Sequence, residues 1–260
     1  MAEALFWPAL VAYGEAVVAY AGNTRRPGEL GRLATWGVRV GWLVQTALLT
    51  VQAIEADGFP WATWAGSLNL FVWLVVGVYL AWGCRPRYRL LGLAVMPPAA
   101  TLLVLAYAAG GMEGRGSDYS TLFLVVHVGL VLAALAGFTL AAALAALYLW
   151  QEGRLKQHRA AGLLRLGAPP LVSLDELAAR IIAVAFPVLT LGIAAALARL
   201  ADEGGSVDAL TVAGLATWSV YGLFLLLRYV AGWRGRRSAR LALSAFAFVA
   251  ALLVLVLVHA

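Results

Sequence analysis

The histidines are the residues of this sequence whose type and spacing best suit cofactor chemistry. Of the three, His127 interrupts the apolar run FLVVHVGLVL and His259 follows the apolar run ALLVLVLV. A neutral imidazole is a good iron ligand, and two imidazoles from different helices can hold haem as an axial pair. His127 and His259 could therefore bind haem iron, the alternative for His127 being a hydrogen bond between helices. His158 lies in a basic polar stretch, where we expect it to be solvated.

Long apolar segments must position these histidines. The chain of 260 residues is 63% hydrophobic and 12% charged, with a mean hydropathy of +0.87. A spanning helix needs roughly 20 mainly apolar residues, so about eight fit. We predict an all-α, polytopic integral membrane helix bundle forming a single transmembrane domain over 1–260, its first span retained rather than cleaved. The expected spans are 4–21, 36–55, 65–83, 90–108, 120–150, 174–200, 208–231 and 240–258.

The basic residues predict the orientation of these spans. With the N-terminus outside, all of the 19 basic residues except Arg115 and Arg199 lie on or near the cytoplasmic side, as the positive-inside rule requires. Both termini then face outward in a bacterial inner membrane, and His127 and His259 lie at the outer level. Because topology accounts for the sequence pI near 9.8, we expect a lipid bilayer and no nucleic acid as partner.

Aromatic and basic residues are also predicted at the outer face. Trp61 and Trp64 lie in DGFPWATWAGS, where they could flank a flat macrocycle or simply belong to an interfacial aromatic belt. Arg115 could pair with a haem propionate through charge-assisted hydrogen bonds, or could be solvated. These residues are therefore candidates for further haem contacts, and their other roles stay open.

Several residues predict local features of the spans. Segment 120–150 exceeds the bilayer, so it should tilt or project into the cytoplasm. The pair Pro97-Pro98 should interrupt or kink the fourth helix, and Pro187 should bend the sixth. The spacing of Ser173 and Glu176 predicts a capping box that starts the sixth helix.

Polar groups at membrane depth have either structural or transport roles. We interpret Gln45 and Asn69 as hydrogen-bond partners between helices. Glu15 carries a formal charge deep in the first span, which keeps a transport pathway open as an alternative. The single cysteine, Cys84, excludes an intrachain disulfide.

Specific strings resemble the cytochrome c assembly protein family, the CcsA/ResC and HemX-type haem-handling membrane proteins. They are HVGLVLAALAGFTLAAALAALYLWQEGRLK, LVSLDELAARIIAVAFPVLTLGI and TWSVYGLFLLLRYVAGWRGRRSARLAL. Two earlier segments, VGWLVQTALLTVQAIEADGFP and GSLNLFVWLVVGVYLAW, match its second and third helices more loosely. The resemblance covers about four fifths of the chain and is most specific in the last third. The short HemX-like branch is the most similar.

The resemblance implies that haem is brought to the outer face and presented to apocytochrome c by two outer histidines, here His127 and His259. It also implies a partner with a large outer domain. Where some members of the family have two membrane-embedded histidines, this chain has Gln45 and Leu226. The family's tryptophan-rich motif before LATW is reduced here to Asp208 and Trp218, which we retain as cofactor-binding candidates.

The residues and the resemblance together predict a membrane protein that handles haem, as haem b, in cytochrome c maturation. We expect no bond-making chemistry on a substrate, because the reactive chemistry belongs to the cofactor. One alternative is a haem-free regulator of tetrapyrrole synthesis, acting through basic cytoplasmic loops such as QEGRLKQHRAAGLLRLG. The other is a small-molecule transporter with Glu15 in its pathway.

Overall fold

A computed structural model gives the fold of this chain and describes residues 2–25, 28–55, 61, 63–85, 88–111, 121–157, 168–203 and 209–259. The described residues contain helices and no strand. In chain order the helices are α1 (Ala2–Arg25), α2 (Glu29–Glu55), α3 (Trp64–Val78), α4 (Arg89–Ala108), α5 (Thr121–Lys156), α6 (Leu171–Glu203), α7 (Ala209–Tyr229) and α8 (Arg236–His259). A π-helical turn, Tyr79–Gly83, directly continues α3.

Each of the eight helices contains a segment long and apolar enough to cross a membrane, counting the π-helical turn with α3. The prediction of an all-α bundle with eight spans is therefore confirmed. The sides on which the two termini lie stay a prediction.

The chain divides into two compact units. The first unit comprises residues 1–124 and 160–169, and the second comprises residues 125–159 and 170–260. Helices α1 to α4 thus belong to the first unit, and nearly all of α5 with α6 to α8 to the second. The grouping of 1–260 into one domain stays a prediction.

Close backbone packing of α1 against α2 and α4 builds the first unit. A Cβ atom added to Gly41 on α2 would lie 2.5 Å from the Tyr13 ring, and one added to Gly92 on α4 would lie 2.5 Å from the Tyr20 ring. Because only glycine leaves this space, α2 and α4 can close on the buried tyrosines of α1. Both tyrosines are almost fully buried as a result.

In the second unit, α5 is 36 residues long, or about 54 Å at the rise of an α-helix. A hydrocarbon core of about 30 Å cannot enclose that length, so the prediction that this segment exceeds the bilayer is confirmed.

The buried positions of α5, α6 and α8 include many alanines, such as Ala134, Ala141, Ala185 and Ala242. Small side chains of this kind let membrane helices approach closely.

The structure tests two local predictions. The prolines do not interrupt α4, which runs continuously from Arg89 to Ala108, and the carbonyl of Pro97 accepts a hydrogen bond from Thr101 Oγ1 at 2.9 Å. A kink of α4 at these prolines stays a prediction. The sixth helix does not start at a Ser173 cap either. It starts at Leu171, because the Pro170 carbonyl already accepts from the Ser173 and Leu174 amides at 3.0 and 3.3 Å.

Candidate functional site

The His127 imidazole is held by the backbone of α6. Its Nδ1 atom lies 2.8 Å from the carbonyl oxygen of Gly192, and the side chain is half-buried. A Cβ at Gly192 would lie 2.9 Å from Val131 Cγ2 and 3.3 Å from the Val131 amide nitrogen. Glycine therefore allows α6 to approach α5 closely enough for this hydrogen bond.

This contact decides the tautomer of the neutral imidazole. A carbonyl oxygen can only accept a hydrogen bond, so Nδ1 carries the proton and donates it. The lone pair of the neutral ring then resides on Nε2, the atom that can bind a metal. A backbone carbonyl on the far ring nitrogen is also the usual arrangement that orients a metal-binding histidine. The donor chemistry of His127 thus fits an iron ligand.

The lengths of α5 and α8 agree with the prediction that His127 and His259 lie at one level, which stays a prediction. The ion pair between Glu152 and Arg236, 3.4 Å apart, aligns the C-terminal part of α5 with the start of α8. At 1.5 Å per residue, His127 lies about 38 Å from Glu152 along α5, and His259 about 35 Å from Arg236 along α8. Helix α8 extends to His259, while the placement of that side chain lies outside the described part.

Trp218 belongs to the second unit but engages a different side of α6. Its Nε1 atom donates to Thr190 Oγ1 at 3.0 Å, and its ring stacks on Phe186 with centroids 5.5 Å apart. Thr190 is exposed, whereas Gly192, two residues later, is buried. Positions two residues apart point about 200° apart around an α-helix. Trp218 and His127 therefore contact nearly opposite faces of α6. The cofactor role of Trp218 stays a prediction.

The two tryptophans predicted at the outer face, Trp61 and Trp64, belong to the first unit. Trp61 Nε1 donates to Gln52 Oε1 at 3.3 Å, and its carbonyl accepts from Ser67 Oγ at 2.7 Å. Trp64 begins α3 and is 55% exposed. Trp61 is therefore fixed by polar contacts while Trp64 points outward, and their haem contacts stay a prediction. Arg115 and Asp208 lie outside the described residues, as does His158.

A chain of hydrogen bonds crosses the first unit. Tyr13 OH donates to Gln45 Oε1 at 2.7 Å, and Gln45 Nε2 donates to Asn69 Oδ1 at 3.0 Å and to the Asn69 carbonyl at 3.1 Å. Asn69 Nδ2 donates to Gln52 Oε1 at 3.1 Å, and Gln52 Nε2 donates to the Gly111 carbonyl at 3.0 Å. The predicted pairing of Gln45 and Asn69 between helices is confirmed. The part played by Tyr13 was not predicted.

A buried ion pair joins three helices at the other end of the second unit. Arg228 Nη1 lies 2.7 and 2.8 Å from the two carboxylate oxygens of Asp175, and 3.0 Å from Ser238 Oγ. Both charged side chains are less than a tenth exposed. The pair connects α6, α7 and α8, and sequence reasoning missed it because the two residues are far apart in the chain.

The positions that correspond to the family's embedded histidines differ in environment. Gln45 is fully buried, whereas Leu226 is 56% exposed on α7. Within the described residues, no group of three histidine, cysteine or acidic side chains could hold a metal ion. His127 is the one histidine whose side chain lies in the described part of the chain.

Comparisons with known proteins agree with the resemblance. The model of a family described as "Cytochrome C assembly protein" matches residues 61–259. The cytochrome c biogenesis protein CcsA of Microcystis aeruginosa is 26% identical over 270 residues, covering 84% of this chain and 82% of the relative. Protein HemX of Brevibacillus brevis is 28% identical over 208 residues, covering 77% of this chain and 75% of the relative. No solved structure matches.

Proposed function

This chain belongs to the cytochrome c assembly protein family, and we propose that it handles haem at the outer face of the bacterial inner membrane. Family membership supports a role in cytochrome c maturation. The finer proposal is that His127 binds the iron of the transported haem through Nε2, with His259 as the opposite ligand. Both termini then face outward.

The observation that carries this proposal is the hydrogen bond between His127 Nδ1 and the Gly192 carbonyl. It fixes the tautomer and orientation of the ring, so the ligand is prepared before haem arrives. A preoriented ligand loses less rotational freedom on binding than a mobile one. The matching levels of His127 and His259 along α5 and α8 support a second axial ligand, because opposite ligands must come from one depth.

Haem in this scheme is cargo, and the chain contributes ligation and an apolar slot. The macrocycle can rest against apolar helix surfaces, while its propionates reach the aqueous edge, where Arg115 would pair with one of them. We propose that delivery to apocytochrome c needs a partner with a large outer domain, since short connections leave no such domain among the described residues. Trp61, Trp64, Asp208 and Trp218 remain the proposed supporting residues.

Visible absorption of the purified protein tests the proposal. We expect haem b, identified by its pyridine haemochrome, with a low-spin Soret band that weakens in His127→Ala and in His259→Ala. His158→Ala is the matched control, because His158 lies in the basic cytoplasmic stretch and should leave the spectrum unchanged. A spectrum unaffected by His127→Ala would reject ligation by that residue. Absence of haem even after reconstitution would favour the haem-free regulator.

A further inference from the structure

The first three backbone amides of α8, those of residues 236, 237 and 238, have no acceptor among the described residues. The fourth amide, that of Ala239, donates to the Gly235 carbonyl at 2.9 Å. Helix starts leave such amides free, and together with the helix dipole they attract anions. Gly235 also has a φ of +64° and is followed by right-handed helix. Adjoining residues of opposite hand can form a concave anion site from their amides.

A buried hydroxyl group points at the same turn. Tyr148 on α5 is only 8% exposed, and its OH lies 3.0 Å from the position that a Cβ on Gly235 would occupy. This hydroxyl has no hydrogen-bond partner within the described chain. Gln151, one turn further along the same face of α5, is 2% exposed, and its Nε2 atom also has no partner there. Buried polar groups are normally paired, so these donors indicate an acceptor that the described chain does not supply.

The charge around the start of α8 is positive. The two carboxylates in this region are already paired, Asp175 with Arg228 and Glu152 with Arg236. The basic side chains of the turn that are exposed and form no ion pair with described residues are Arg234, Arg237 and Arg240. The turn therefore combines amide, hydroxyl and guanidinium donors, and this set of donors suits a phosphate group.

The depth of the turn selects a lipid as the source of that phosphate. The span of α7 ends at Tyr229 and that of α8 begins at Arg236, so the turn between them lies at the membrane surface, among the lipid headgroups. We propose that the N-terminus of α8 binds the phosphate of an anionic phospholipid. The free amides and the Tyr148 hydroxyl donate to the phosphate oxygens, and Arg237 supplies positive charge that favours anionic over zwitterionic headgroups. This inference is independent of haem binding.

Native mass spectrometry of the purified full chain, titrated with dioleoylphosphatidylglycerol in detergent, tests the site. Tyr148→Phe should weaken binding about tenfold, because it removes a donor to a charged acceptor. Arg237→Gln should weaken binding about fivefold, because it removes one positive charge near the membrane surface. Tyr229→Phe and Arg180→Gln are the matched controls, since they make the same chemical changes at exposed positions on α7 and α6. Equal affinity of all variants and the wild type would overturn the proposal.

Two further ligands identify the source of the phosphate. Dioleoylphosphatidylcholine carries the same phosphate without net negative charge and should bind the wild type more weakly, so equal affinity for the two lipids would overturn the proposal. Inorganic phosphate at the same concentration should not displace phosphatidylglycerol, because it lacks acyl chains that contact the helices. Displacement would assign the turn to a free phosphate instead and overturn the lipid as ligand.

Thermal unfolding without added lipid checks that the variants are folded. Phenylalanine keeps the ring of Tyr148, so the Tm of Tyr148→Phe should stay close to that of the wild type. Arg237 is exposed, so Arg237→Gln removes no buried contact and decides the proposal even if Tyr148→Phe does not fold. Wild-type affinity of Arg237→Gln would then reject the site.

Discussion

The two units of the molecule differ in where they place polar groups. The first unit carries neutral groups through its interior, from Tyr13 through Gln45, Asn69 and Gln52 to the Gly111 carbonyl. The middle of the second unit is rich in buried alanine. The ion pair of Asp175 and Arg228 lies at one end of this unit, and the His127 imidazole lies at the other. Buried amides that satisfy one another are tolerated at membrane depth, whereas charges are expensive there. Among the described residues of the second unit, the buried ion pair and the imidazole thus lie at opposite ends.

The largest expected effect comes from breaking the buried ion pair of the second unit. Asp175→Ala leaves the Arg228 charge buried without its carboxylate, which should cost about 3–5 kcal/mol of unfolding free energy. Denaturant unfolding in detergent measures the loss. Glu176→Ala, at the exposed neighbouring position, should change it little. If the double variant Asp175→Ala, Arg228→Leu is no more stable than Asp175→Ala, the uncompensated charge is not the cause.

A smaller effect, on haem affinity, should follow from weakening the hydrogen bond between His127 Nδ1 and the carbonyl of residue 192. Gly192→Ala adds a Cβ 2.9 Å from Val131 Cγ2, which forces α6 away from α5 and weakens the hydrogen bond that His127 Nδ1 donates to the carbonyl of residue 192. Loss of such a support typically lowers metal affinity by about 10–100-fold. Haem titration followed at the Soret band measures the affinity. Gly129→Ala is the control, because its Cβ would meet nothing within 4 Å, and an equal loss in both variants would contradict the prediction.

Substitutions in the neutral hydrogen-bond chain of the first unit should lower the free energy of unfolding less than loss of the buried ion pair does. Gln45→Ala removes the acceptor of the Tyr13 hydroxyl and the donor to Asn69 Oδ1, at a cost of about 1–2 kcal/mol of unfolding free energy. Thr50→Ala is the comparison, because Thr50 is exposed and its hydroxyl donates only within its own helix, to Thr46. A cost for Gln45→Ala as large as that for Asp175→Ala would remove the distinction between neutral and charged interiors.

The smallest expected effect is on the rate at which the thiol of Cys84, which follows the π-helical turn, reacts. Burial raises the pKa of its thiol, so less thiolate is present at neutral pH than in an ordinary cysteine. Maleimide should therefore label it slowly at pH 7, at a rate that continues to rise with pH beyond the usual thiol range. Labelling of sealed vesicles of both orientations also tests the topology, since we predict access from the cytoplasmic side. Denatured protein gives the unhindered rate.

Sequence patterns predicted the spans well because hydropathy depends on local composition. The start of α6 was missed because the Pro170 carbonyl, rather than the Ser173 side chain, accepts from the first amides of the helix. The pairing of Gln45 with Asn69 followed from the cost of polar groups in lipid. The pairing of Asp175 with Arg228 did not, because nothing local relates residues 53 positions apart.

For His127, the sequence left open a haem ligand and a hydrogen bond between helices. The second interpretation is confirmed by the contact with Gly192. The role of haem ligand stays a prediction. The two roles are compatible because Nδ1 donates to the Gly192 carbonyl, whereas Nε2 would bind the iron. The supporting glycine could not be predicted, since its role depends on how closely α5 and α6 pack.

The length of α5 has a mechanical consequence. One helix carries His127 near its first turns and Glu152 near its last, and Glu152 contacts both Lys156 and Arg236. Over such a distance a helix bends only gently, so the two residues move as points on one stiff rod. A small tilt imposed at the C-terminal end of α5 is converted, like the motion of a lever, into a lateral displacement of the imidazole near its N-terminal end.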